Sequence, residues 1–243
     1  MTDLEIYRNN EIEQAREADL MKRAGTGEAA LDVGALDGHY SRLLSKRYKR
    51  VVALDLSAPN VEGCENVAGD ATNLQFPDNT FDLVFCAEVL EHIPAVEKAA
   101  RELARVSRHR VLIGVPYKQD TRVGRTSCTD CGHIGPPWGH VNEFDDRRIR
   151  ELFPGLKIES IGYVGENKEH TNALATWLMD RGGNPWGVYG YQCAKCGSAL
   201  KTPPRGSFLQ RALSGMAVRM NMLQAHLTKP HGNWIHVSFV KNS

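Results

Sequence analysis

A doubly wound α/β fold, a mostly parallel sheet with helices on both faces, is predicted by three observations in this 243-residue sequence. Strand-like and helix-like hydrophobic patterns alternate as far as about residue 165. The run Leu31-Asp32-Val33-Gly34-Ala35-Leu36-Asp37-Gly38 couples a first strand to a helix through a glycine turn. The next strand, Val51-Val52-Ala53-Leu54-Asp55, ends in a carboxylate.

Each element follows from its local pattern. Residues 3–24 have helical spacing and are expected to form a leading helix over one edge of the ligand crevice. Residues 29–33 read as a short buried strand, and the glycines at 34 and 38 let the chain turn tightly and bring backbone N–H groups close to a ligand. A helix at 39–46 presents its N-terminus to that ligand. Strand 50–55 then delivers Asp55, 17 residues beyond Gly38, where a carboxylate can accept both hydroxyls of a ribose. Further strands are expected at 65–69, 81–86, 109–115 and 156–163, with helices at 94–106 and 145–152. Trp234 to Val240 alternates like a final strand.

A dinucleotide is disfavoured, because Leu36 and Ser41 stand where the second and third glycines of G-x-G-x-x-G would be. The third strand instead runs into Gly69-Asp70-Ala71, and the fourth, Phe81 to Cys86, into Ala87-Glu88-Val89-Leu90-Glu91-His92-Ile93. In this order the stretches resemble the cofactor motifs of class I S-adenosylmethionine (SAM)-dependent methyltransferases, over residues 25–165 and 233–241. That resemblance implies a Rossmann-like, seven-stranded sheet. It places Asp32, Gly34, Ala35, Leu36 and Gly38 along the methionine part of SAM, Asp55 at the ribose and Asp70 at the adenine amino group, and counts Leu56, Ala71 and Cys86 among the other cofactor-binding residues. The family usually has Gly where this chain has Leu36.

Composition is that of a soluble globular protein, with 24% charged and 42% hydrophobic residues, which excludes disorder as the default. There is no apolar run long enough to span a bilayer, and the charged first 25 residues do not read as a signal peptide, so a cytoplasmic location is expected. The net charge of +1 hides an asymmetry: residues 181–243 carry eight Lys and Arg and no acid, which leaves −7 for residues 1–180. The basic part calls for an anionic partner, or docks on the acidic body.

Two stretches, 116–144 and 165–232, interrupt the alternating pattern, are rich in Gly, Pro and turn residues, and each carry a Cys-x-x-Cys-Gly knuckle. Cys128, Cys131, Cys193 and Cys196 have the spacing of two half-sites of a tetrahedral thiolate centre, which points to a structural zinc ion with no open position for catalysis. A cytoplasmic chain argues against disulfides. The 61 residues between the half-sites are explained if the ion staples the insertions together. The expected organisation is therefore a SAM-binding core of 1–115, 145–164 and 233–243, with 116–144 and 165–232 forming a zinc-stapled substrate or lid lobe. Cys64 and Cys86 are single and read as core residues.

Glu88, Glu91 and His92 follow the fourth strand, where a helical turn would bring all three together. The segment is similar to those of ubiquinone-biosynthesis O-methyltransferases and small-RNA 2′-O-methyltransferases, where matching residues are implicated in metal binding; His140 in Gly139-His140 is the candidate further histidine. Three roles stay open: a divalent Mg or Mn site, a metal-free general base at His140 or His92, or anchoring of the following helix. Ser207 to Lys229 is a predicted helix with Leu209, Leu213, Met216, Met220, Leu223 and Leu227 on one stripe, read as a lid or homodimer helix or as a membrane-surface helix. Trp177, Trp186, Tyr189 and Tyr191 line an acceptor pocket or fill the core of the zinc lobe. The sequence thus predicts methyl transfer to a hydroxyl of a small-molecule or glycan-type acceptor, phosphorylated or lipid-linked forms included. RNA methylation and a non-catalytic SAM-binding zinc scaffold are the alternatives, nucleic acid being the weaker partner because no RNA-binding module is recognisable.

Overall fold

The computed structural model describes residues 10–186 and 191–241. Its contacts divide the chain into a sheet unit, residues 1–117, 144–165 and 232–243, and an insertion unit, residues 118–143 and 166–231.

The sheet unit begins with α1 (Glu11–Ala24), capped by the Asn10 side chain; the expected start of this helix at residue 3 lies outside the described residues. Then come β1 (Gly27–Val33), α2 (His39–Leu44), β2 (Tyr48–Asp55), β3 (Glu65–Ala68), β4 (Phe81–Ala87), a 3-10 turn (Leu90–His92), α3 (Val96–Val106) and β5 (Ser107–Pro116). The sheet runs β3-β2-β1-β4-β5-β9-β8. The first five strands are parallel, and β9 (Trp234–Lys241) lies antiparallel between β5 and β8 (Leu156–Val164). This seven-stranded, mostly parallel sheet is the one expected. The helix after Gly38 stops at Leu44 instead of residue 46, where the Arg47 N–H turns back to the Leu44 carbonyl at 2.8 Å in a tighter i→i−3 bond, and β3 ends at Ala68, one residue earlier than expected.

The strand period of two sorts side chains to opposite faces. Val84 and Cys86 of β4 join Val96, Ala99, Ala100, Leu103 and Val106 of α3 and Ile149 and Leu152 of α4 (Asp146–Leu152) in one core. Leu83 and Phe85 join Leu20, Met21 and Ala24 of α1 and Leu44 of α2 in the other. Positions 96, 99, 100, 103 and 106 form a continuous apolar stripe on α3, the reason this segment is a helix packed on a sheet.

The insertion unit holds a small ribbon of β6 (Thr126–Ser127) and β7 (Ile134–Gly135), a 3-10 turn (Pro137–Gly139), α5 (Ala173–Arg181) and α6 (Phe208–Leu227). Helix α5 is absent from the sequence reading. Its core with α6 is small: Ala175, Leu178 and Met179 against Ala217, with Leu213, Val218 and Met220 half-buried. The stripe expected on α6 divides: Leu213 and Met220 are half-buried against α5, Leu209, Met216, Leu223 and Leu227 are exposed, and the buried positions of the helix are Ser214 and Ala217. Small residues let the helices approach closely: a Cβ on Gly182 would stand 2.1 Å from Ser214 Oγ.

Candidate active site

The glycine turn is built as its sequence requires. Gly34 and Gly38 both have left-handed backbones, φ +79° and +74°. A Cβ on Gly34 would lie 2.2 Å from Val89, and one on Gly38 2.1 Å from Val61, so no other residue fits either position without movement. Leu36 is left-handed too, φ +49°, which explains why glycine suits this position.

Asp32 and Asp55 flank this turn. The Asp55 carboxylate accepts the Leu36 N–H at 2.8 Å and the Leu56 N–H at 2.7 Å, so the turn and the end of β2 fix its orientation. Leu36 and Leu56 present exposed apolar side chains around it. Asp32 is buried and accepts the Ser41 hydroxyl at 2.5 Å. Burial raises its pKa to about 7, against the opposing effect of that hydrogen bond. Ser41 had no assigned role in the sequence; its signal was its place at the helix start, facing the strand that carries Asp32. Asp70 accepts Thr72 N–H at 2.7 Å and shapes the turn beyond β3, where Ala71 is buried. Cys86 is fully buried in the core, and burial holds its thiol well above the usual range.

Glu88, Glu91 and His92 part company. Glu88 has a left-handed backbone, φ +59°. Its carboxylate pairs with Arg16 of α1 at 2.6 Å and accepts the Trp234 indole N–H at 3.3 Å. Arg16 also takes both oxygens of Glu13 at 2.8 and 2.7 Å and stacks 4.2 Å from the Trp234 ring. Two carboxylates thus share one buried guanidinium, a network with no sequence signal because its members are 3, 72 and 146 residues apart. Glu91 is different. It is fully buried, neither oxygen has a hydrogen-bond partner among the described residues, and its pKa is driven well up by burial and then by Glu88. Its oxygen lies within 4.8 Å of a His92 ring nitrogen. His140 belongs to the insertion unit, where it is buried and its Nδ1 bonds Gln119 Oε1 at 2.6 Å.

The four knuckle cysteines are unpaired and their sulfurs converge. Cys128 and Cys196 sulfurs are 3.7 Å apart, as are those of Cys131 and Cys193. A disulfide would place them at about 2.05 Å. Four thiolates at about 2.3 Å from a central ion would be about 3.8 Å apart, so the cluster fits a tetrahedral metal. Both knuckles have the same backbone: the Gly132 and Gly197 N–H groups return to the carbonyls of Cys128 and Cys193 at 2.9 and 2.8 Å, with left-handed φ of +68° and +73°. The Ser198 hydroxyl and amide pull the Cys196 thiol down to about 6. Trp177, Trp186 and Tyr191 are exposed, and Tyr189 lies outside the described residues.

Residues 31–113 match the family model described as "Methyltransferase domain". The uncharacterized methyltransferase YcgJ of Bacillus subtilis strain 168 is 32% identical over 199 residues, covering 74% of this chain and 77% of that protein. The demethylmenaquinone methyltransferase of Thermobifida fusca is 35% identical over 97 residues, 35% of this chain and 41% of its own length. Among solved structures, a methyltransferase from Bacillus halodurans C-125 superposes with a TM-score of 0.62 at 17% identity, covering 94% of this chain and 100% of that one. The extent of the Bacillus subtilis match, joined to strand-end motifs standing in their expected order on the sheet, makes this chain a member of the class I SAM-dependent methyltransferases.

Proposed function

We propose that the chain transfers the methyl group of SAM to a hydroxyl of a small-molecule or glycan-type acceptor, and that a structural zinc held by Cys128, Cys131, Cys193 and Cys196 organises the insertion unit. The observation that carries the hydroxyl assignment is the pairing of His92 with Glu91, a buried carboxyl without a hydrogen-bond partner among the described residues, just beyond β4, the strand end that faces the transferred methyl in this family. An amine can attack with little help, whereas a hydroxyl must lose its proton before or during attack. The His92 ring, with a nitrogen within 4.8 Å of that carboxyl, supports the reading as the acceptor for this proton, since burial favours the neutral, protonated form of Glu91 itself.

Bound SAM supplies an electrophilic methyl on its sulfonium. Asp55 would hold the ribose hydroxyls, Asp32 would face the cationic amino end, and the Gly34 to Gly38 turn would let the backbone approach the cofactor closely. His92 would take the hydroxyl proton as the oxygen–carbon bond forms and the methyl–sulfur bond breaks, leaving S-adenosylhomocysteine. Zinc plays no part in the transfer, since four protein sulfurs close its shell.

Transfer of radiolabel from SAM into small-molecule, glycolipid and RNA pools of a cell extract tests the acceptor. Label in the first two supports this reading, and label in RNA overturns it. His92→Gln should lower kcat by about 10²–10⁴-fold while leaving SAM affinity unchanged. Equal loss with an amine acceptor would remove the argument for the hydroxyl.

A further inference from the structure

The insertion unit contains a cavity of about 290 Å³ built entirely from its own residues. We propose that it binds a small aromatic carboxylate. Its size is at the low end of the roughly 300–1,000 Å³ range of ligand pockets, enough for a two-ring molecule. Its walls are apolar where a ring would lie: Met179 of α5, Val218 and Met222 of α6, and the exposed Trp186. Thioethers and an indole are good neighbours for an aromatic ring.

The polar side is organised by Asp120. This carboxylate takes Arg122 through Nε and Nη2 at 2.8 Å each and the Thr171 N–H at 3.0 Å, and His170 Nδ1 lies 3.0 Å away. The arrangement spends the charge of Asp120 on holding Arg122 and the Thr171 amide in place, with His170 beside them. It leaves Arg122 Nη1 and His170 Nε2 without a protein partner among the described residues, both on residues that line the cavity. Thr171 is braced in turn by its hydroxyl, which donates to Asn221 Oδ1 of α6 at 2.8 Å. Thr176 Oγ1 is buried with no hydrogen-bond partner among the described residues, an uncompensated donor on the same wall.

The sign of the ligand rests on the open edge of Arg122, in a unit that carries eleven Lys and Arg against six Asp and Glu, a net +5. At the cavity itself Asp120 already pairs with Arg122 and Glu169 stands on the rim, so a carboxylate is selected over its neutral isostere by hydrogen bonds to the guanidinium edge and not by a local excess of positive charge. The inference concerns binding within this unit and does not depend on which acceptor is methylated.

The test is isothermal titration of the full-length, zinc-loaded protein with 2-naphthoate and with 2-naphthamide, in saturating S-adenosylhomocysteine (SAH) so that the cofactor site is filled. Naphthoate should bind at least tenfold more tightly than the amide, and Arg122→Gln or Ala225→Phe, the second filling the cavity, should each weaken it at least tenfold. Lys229→Gln, away from the cavity, should leave it unchanged. Hydrogen exchange of the unaltered protein provides a readout independent of how the variants fold: naphthoate should slow exchange in residues 120–124, 170–179 and 218–225. Absence of binding at millimolar naphthoate, equal affinity for the amide, or protection confined to the sheet unit would each overturn the proposal.

Discussion

Leu36 holds a left-handed backbone at an exposed turn where its side chain gains little from packing. That conformation costs a residue with a Cβ about 1–2 kcal/mol, part of which glycine returns as unfolded-state entropy. Leu36→Gly should therefore raise unfolding stability by about 0.5–1 kcal/mol in urea titrations. Asp32 gives a prediction in pH. Its folded pKa of about 7 lies above the ordinary carboxyl value of 3.8, so between these limits the folded chain keeps a proton that the unfolded chain has released. Stability without cofactor therefore falls as pH rises through that window. With the cationic amino end of SAM beside Asp32, as proposed above, the ionised form would be favoured, and cofactor binding would expel the proton and tighten with rising pH. Affinity for SAH should be about tenfold higher at pH 8 than at pH 6, and Asp32→Asn should flatten that dependence in titration calorimetry. His236 is the contrasting case: burial lowers its pKa to about 4 despite Asp19 at 2.7 Å, so it stays neutral through the same range.

At the scale of elements, Glu13, Arg16, Glu88 and Trp234 tie α1 and the ends of β4 and β9 into one buried polar cluster. Removing the cation alone strands two carboxylates, so Arg16→Ala should cost about 3–5 kcal/mol in denaturant unfolding. The combination Glu13→Gln, Arg16→Met and Glu88→Gln should recover most of it, because no unpaired charge remains. The cluster also shows where sequence reading stops. Strands β1, β2, β4 and β5 were legible because buried strands carry continuous apolar runs, and α3 because its stripe is regular. The places of Asp55 at the end of β2 and Gly38 at the start of α2 were legible because they are set by neighbours in the chain. Glu88 was grouped with Glu91 and His92 by spacing, yet its partner is on another helix. Helix α5 was missed because its buried side is only Ala175, Leu178 and Met179. On α6 the sequence shows the helix and its leucine stripe but not the contact with α5, where close approach selects the small Ser214 and Ala217.

For the whole molecule, the two units differ in what holds them. The sheet unit rests on two apolar cores, one on each face of the sheet, while the insertion unit has a small apolar core and four converging thiols. Purified protein should contain close to one zinc per chain. Its removal by a strong chelator, or Cys128→Ser, should release amide protection in α5 and α6 while β1, β4 and β5 stay protected, as read by hydrogen exchange. The place of β9 has a further consequence, in the order of synthesis. This strand follows both of its neighbours in the sequence but sits between them, pairing with β5 on one side and β8 on the other. Until residues 234–241 have been synthesised, β5 and β8 each lack this partner and present bare backbone edges, while the second knuckle is already made. The nascent chain thus passes through an open-edged intermediate, closed between these two strands only when β9 slides in.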